Sequence, residues 1–186
     1  TYYYAVVSID EAGQESDLSY ETVYDTPRPE GVVTLYQMDF NPNGSGFILD
    51  TFPTIAAHND ALVDIYIETF LNVFNINAGN SSGTNNNVDI QDMGYTESIY
   101  DINVSPTDGW SESGWAEVIV GHTYVIWDSD NFFAKMRVIS IGATSVNFEW
   151  AFQIDNGNPE LAPQMQIEKP AQLGKVMQEH RASASE

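Results

Sequence analysis

ALVDIYIETFLNVF, residues Ala61–Phe74, is the stretch on which the fold class turns. Leu62, Ile65, Tyr66 and Thr69 fall near a helical stripe, so a helix competes for it. The density of Ile, Val, Tyr and Phe favours a strand, because such side chains fit a pleated, half-buried surface. On that reading Asp60–Ile76 forms one long strand or two consecutive ones. The flanks agree. Upstream, GVVTLYQMDF (31–40) reads as a strand, NPNGSG (41–46) as a turn and GFILDTF (46–52) as a further strand. Downstream, the polar loop NAGNSSGTNNNVDIQDMG (77–94) leads to WAEVIV (115–120), HTYVIW (122–127), FFAKMRVISI (132–141) and SVNFEWAFQI (145–154), the last two joined by Gly142-Ala143-Thr144. The expectation is an all-β protein of sandwich-like antiparallel sheets.

The chain has 186 residues, of which 42% are hydrophobic, enough to build a core. Six Lys and Arg stand against 27 Asp and Glu, and 6 − 27 = −21. A charge of that sign repels phosphate backbones and anionic lipid surfaces, which argues against nucleic-acid binding and attachment through a basic patch. Cations and cationic groups fit it. With no cysteine, disulfides, thiolate zinc sites, iron–sulfur clusters and thiol nucleophiles are excluded. No stretch approaches the roughly 20 apolar residues of a spanning helix. Residue 1 opens directly in a strand-like run without a basic leader, as if cut from something longer, with any export signal upstream.

That opening run, TYYYAVVSID (1–10), precedes the loop EAGQESDLS and a second alternating run, YETVYDT (20–26), bounded by Pro27 and Pro29. The pattern predicts a hairpin. The Tyr2, Tyr4, Val6 alternation, continued by Asp10, Gly13, Glu15 and Ser16, resembles the last two strands and turn of a fibronectin type III module. The resemblance covers about 25 residues, and a whole module needs seven strands. Two strands alone are marginal in water, so the hairpin is expected to pack on the following domain or to be the remnant of a truncated module, and on the structural alternative it completes another molecule's sheet, a route to self-association. At the other end, Pro170 opens a predicted short helix with Leu173, Val176, Met177 and His180 on one face. Three domains result: residues 1–29, 30–167 and a helical or loose tail, 168–186.

Chemistry is sparse. The three histidines are His58, His122 and His180, and no serine lies in a G-x-S-x-G elbow. His122 comes directly after Gly121 between two strands, where a turn or edge residue belongs. The abundance of acids makes chance carboxylate pairs common and removes them as a signal for glycoside hydrolysis. No catalytic residue is assigned, and the chain reads as a non-enzyme. Calcium is the ionic candidate, because Asp128, Asp130 and Asn131 crowd oxygen donors on one loop. The EF-hand pattern fails there, since its sixth position lacks Gly and its twelfth is Ile139. Asx residues also build turns without metal. Trp110 and Trp115 in DGWSESGW (108–115) have two readings, a surface platform for a ligand or a plug at the end of the sandwich.

The later runs, VDIQDMGYTESIYDINVSPTDGW, SGWAEVIVGHTYVIW, DNFFAKMRVISI and SVNFEWAFQIDNGNPEL, resemble the HmuY-like haem-binding lipoproteins of bacteria. Asp64-Ile65-Tyr66 matches that family's D-I-Y segment ahead of an Asn/Gly/Ser loop (77–87), and Phe133–Val138 and Phe148–Gln153 its closing strands. The resemblance spans about residues 31–161 and implies an all-β domain with finger-like hairpins that binds haem between two His or Met ligands. Met38, Met93 and Met136 are the soft side chains present, and neither His58 nor His122 matches a family ligand. The resemblance also implies an extracellular or cell-surface protein. The sequence therefore predicts a binding module for a small ligand, a glycan or another protein, with Trp110, Trp115, Asn85 and Asn87 on its recognition loops. The alternative is a structural spacer or assembly unit of a surface protein or filament.

Overall fold

A computed structural model describes residues 2–19, 21–79 and 87–167. The tail helix predicted for 168–186 lies outside these. The chain divides into two compact units, one made of Thr1–Thr26 with Pro163–Glu186 and one of Pro27–Ala162. Every strand pairing is antiparallel, so the all-β expectation is met.

In the first unit β1 (Tyr2–Tyr4) pairs with β2 (Glu21–Asp25). Across them Tyr3 and Tyr24 face each other with ring centroids 5.6 Å apart. The turn between the strands is closed by Asp10, whose Oδ1 accepts from the N–H groups of Ala12 and Gln14.

The second unit holds two five-stranded sheets. Its strands are β3 (Glu30–Tyr36), β4 (Gly46–Ile48), β5 (Thr54–Ala56), β6 (Ile65–Phe70), β7 (Val73–Ala78), β8 (Asp89–Tyr95), β9 (Trp115–Glu117), β10 (His122–Trp127), β11 (Phe133–Ile141) and β12 (Ser145–Phe152). One sheet runs β3-β12-β11-β10-β8 and the other β5-β4-β6-β7-β9. Alternation decides which side chains meet between them. Leu35, Val146, Phe148, Met136 and Tyr124 from the first sheet, with Phe47, Ile65, Ile67 and Ile76 from the second, form one buried cluster.

The disputed stretch 61–74 resolves into a hairpin. Leu71 and Asn72, at φ 51° and 64°, make its turn, and Ile67 pairs with Ile76. Two consecutive left-handed residues match the strand twist that a two-residue loop requires. Asn tolerates that region, whereas Leu is strained in it. The helical competitor loses because only period two puts both Ile65 and Ile67 between the sheets.

The outer face of the first sheet carries a second cluster. Val125, Phe133 and Leu161 are buried there, packed against Met93, Ile102, Trp110 and Trp127. Lys135, fully buried, donates from Nζ to the Ile102 carbonyl (3.0 Å) and lies 5.3 Å from the centre of the Tyr100 ring. A buried ammonium needs such partners, and it pins the connection between β8 and β9 to the sheet.

β13 (Gln164–Ile167) belongs to the first unit, where it pairs with β2 to give the order β1-β2-β13. The sequence reading ended the second domain at 167. Pairing with a strand some 140 residues earlier leaves no local trace in sequence, and the division falls instead between Ala162 and Pro163. No helix among the described residues is long and apolar enough to cross a membrane.

Candidate functional site

Asp64 sits at the start of β6 in an otherwise apolar run, and pairing draws it inside. Its N–H donates to the Phe47 carbonyl (3.1 Å) and its own carbonyl accepts from Gly79 (2.7 Å). A Cβ at position 79 would collide with the Val63 carbonyl oxygen, so only glycine permits this approach. Asp64 is left 8% exposed. Its Oδ2 accepts from the Leu49 N–H at 2.7 Å, and no hydrogen bond to Oδ1 occurs among the described residues.

A cleft of about 200 Å³ opens beside it. Asp50, Asp64, Asp128 and Asp130 supply its acids, and Ile48, Leu49, Leu62, Phe132 and Phe152 its apolar wall. Burial pushes the Asp64 carboxyl up to about 7, and the fields of Asp128, Asp130 and Asp50 add to it against the pull of the Leu49 N–H. Burial also raises Asp128, partly offset by the N–H groups of Phe132 and Asp130. Asp64 and Asp128 both resist ionising in this setting, so a cation in the cleft would relieve desolvation and repulsion together.

The β10–β11 loop is held by its own hydrogen bonds. Asp128 Oδ1 accepts from the N–H groups of Asp130 and Phe132, both at 2.9 Å. Asn131, at φ 67°, accepts on Oδ1 from the Trp127 indole at 3.0 Å, and its carbonyl accepts from Gly157 at 2.8 Å. These bonds make a rigid Asx-type turn. No group of three or more acidic or histidine side chains that could hold a metal ion occurs among the described residues.

A second cleft, about 180 Å³, lies on the other side of this loop and is lined by Asn87, Asp89, Trp127, Asp128, Ser129 and Asn131. Of the residues singled out from sequence, Asn87, Asp128 and Asn131 thus line one cleft, and Asp128 and Asp130 the other. Trp110 is half-buried in the cluster on the outer face of the sheet, its ring 5.8 Å from that of Trp127, which stacks on Phe133 at 5.5 Å. Trp115, 46% exposed on the edge strand β9 opposite Asn77, lines neither cleft. Asn85 lies outside the described residues.

Sequence reasoning missed Asp50 as a partner of the loop and used Asp64 only as part of a motif. The signal for Asp64 was a lone carboxylate between Val63 and Ile65, a position where a strand interior is expected. His122 opens β10 directly after the turn at Gly121, paired with Tyr95 of β8, with Nδ1 3.0 Å from each Asp92 carboxylate oxygen. His58 packs its ring 5.9 Å from Tyr66. Met136 is core filler and Met93 belongs to the outer cluster.

Comparison with protein-family models, with curated proteins and with solved structures found no match.

Proposed function

We propose that this protein is a non-catalytic binding module whose acid-rimmed cleft receives a cationic group. The observation that carries the reading is Asp64, a carboxyl drawn inside the fold, open to the cleft on one oxygen and grouped with three further aspartates around an apolar wall. Rigid strands position these groups from connecting segments, the arrangement in which loops carry recognition. Extracellular or cell-surface placement rests on the HmuY-like resemblance alone.

Titration with Nα-acetyl-lysine amide, monitored by amide NMR, tests the reading. Shifts are expected at the Leu49, Asp130 and Phe132 amides, which donate to the cleft carboxyls, with the neutral norleucine analogue giving none. Equal shifts from the lysine probe and its neutral analogue would refute a charge-based site.

A second reading, assembly by strand addition, is favoured by β1. Tyr2–Tyr4 form an outer strand without a charged side chain, all three exposed, and such edges accept further strands. Size-exclusion chromatography over a concentration series checks it, and a constant elution volume argues against it.

A further inference from the structure

The acidic cleft has more surface around it than a small cation can use. Its apolar wall can line an alkyl stem while the aspartates take the head group, the division that long basic side chains present. Leu62, 68% exposed, stands on that wall. An exposed large apolar side chain beside an acidic pocket suits contact with another chain. Among the described residues, Lys135 and Arg137 are engaged elsewhere. Lys135 is buried in the outer cluster, and Arg137 spends its guanidinium on the Thr96 carbonyl and Glu149. Asp64, more than nine-tenths buried, keeps Oδ1 without a hydrogen-bond partner among the described residues.

We infer that the occupant of the cleft is a Lys or Arg side chain of another protein, carried on a segment with an apolar residue next to it. The inference rests on the cation-binding reading above and adds the partner class. The basic head lies among Asp64, Asp50, Asp128 and Asp130, and the apolar neighbour covers Leu62. A calcium ion would not use that apolar surface.

Three blocked peptides separate the alternatives when titrated against the intact chain: Ac-Leu-Arg-Leu-amide, Ac-Gly-Arg-Gly-amide and the citrulline form of the first. The leucine-flanked arginine peptide is expected to bind about tenfold more tightly than the glycine-flanked one. Citrulline should lose at least as much. The variant Leu62→Ser should weaken Ac-Leu-Arg-Leu-amide more than Ac-Gly-Arg-Gly-amide and so narrow the advantage of leucine. Equal affinity of the two arginine peptides would overturn the inference while leaving the cation reading standing. Absence of binding by every peptide and by the lysine probe would remove both. Saturable calcium binding that displaces the peptides, with no preference for leucine, would assign the cleft to an ion instead.

Discussion

Replacing Asp64 by Asn probes the site through the protein's own stability. In the unfolded chain this carboxyl loses its proton near 3.8, and in the folded chain near 7. Between those values the folded state binds the extra proton, so stability falls as pH rises through the window and is level above it. At about 1.4 kcal/mol per pH unit, the loss sums to roughly 4 kcal/mol between pH 4 and pH 8. Asn at this position keeps an oxygen to accept from Leu49 and carries no ionisable proton. Urea denaturation of both proteins at half-unit steps from pH 4 to pH 8.5 isolates the effect, because the other 26 acids are common to both. The difference in unfolding free energy, variant minus wild type, should grow by several kcal/mol across the window and then level off. Added salt should shrink it modestly, since the Asp50, Asp128 and Asp130 fields are screened and burial is not. Parallel profiles would show that Asp64 ionises as freely inside the fold as outside, and the account of the cleft would fail with it.

Other parts of the fold make their own measurable demands. Above pH 7, where Asp64 is ionised, the arginine peptide should bind more tightly than at pH 5.5, and Asp64→Asn should flatten that dependence in calorimetric titrations. Lys135→Ala removes the donor to Ile102 and a buried stem, and should cost about 3 kcal/mol in urea midpoints. Lys135→Met keeps the stem and should lose less. Leu71→Gly relieves a left-handed leucine on an exposed turn and should raise stability by about 1 kcal/mol, read from the thermal midpoint. Phe148→Ala opens the centre of the main core and should cost about 3–5 kcal/mol.

Several strands were legible because alternation is local. GVVTLYQ, HTYVIW and SVNFEWAF each present a bulky face every second residue, and each forms a strand with that face inside. By contrast, β8 (Asp89–Tyr95) falls largely in the stretch 77–94 that reads as a polar loop, since its Asp and Gln alternate with few bulky side chains and only pairing with β10 makes it a strand. The 61–74 run needed its partners before its turn could be placed, since nothing short of pairing distinguishes one bent strand from two. The loop 128–131 was also legible as an oxygen-rich turn. Its hydrogen bonds to Trp127 and Gly157 were not, because they join residues that only the folded loop brings together. The DGWSESGW segment offered two readings for its indoles, and nothing in its sequence signalled that Trp110 would pack into the cluster on the outer face of the first sheet.

Composition and period alone determined that this chain buries a core between antiparallel sheets and that its surface repels anions, because both properties sum over residues without regard to where the chain goes. Which strands neighbour one another, the membership of β13 in the N-terminal sheet, and the meeting of Asp50 and Asp64 with Asp128 and Asp130 were decided only by tertiary structure. The contacts of Asp50 and Asp64 with the 128–130 loop join positions more than 60 residues apart, and their energies come from burial and fields that exist only after the sheets have closed over them.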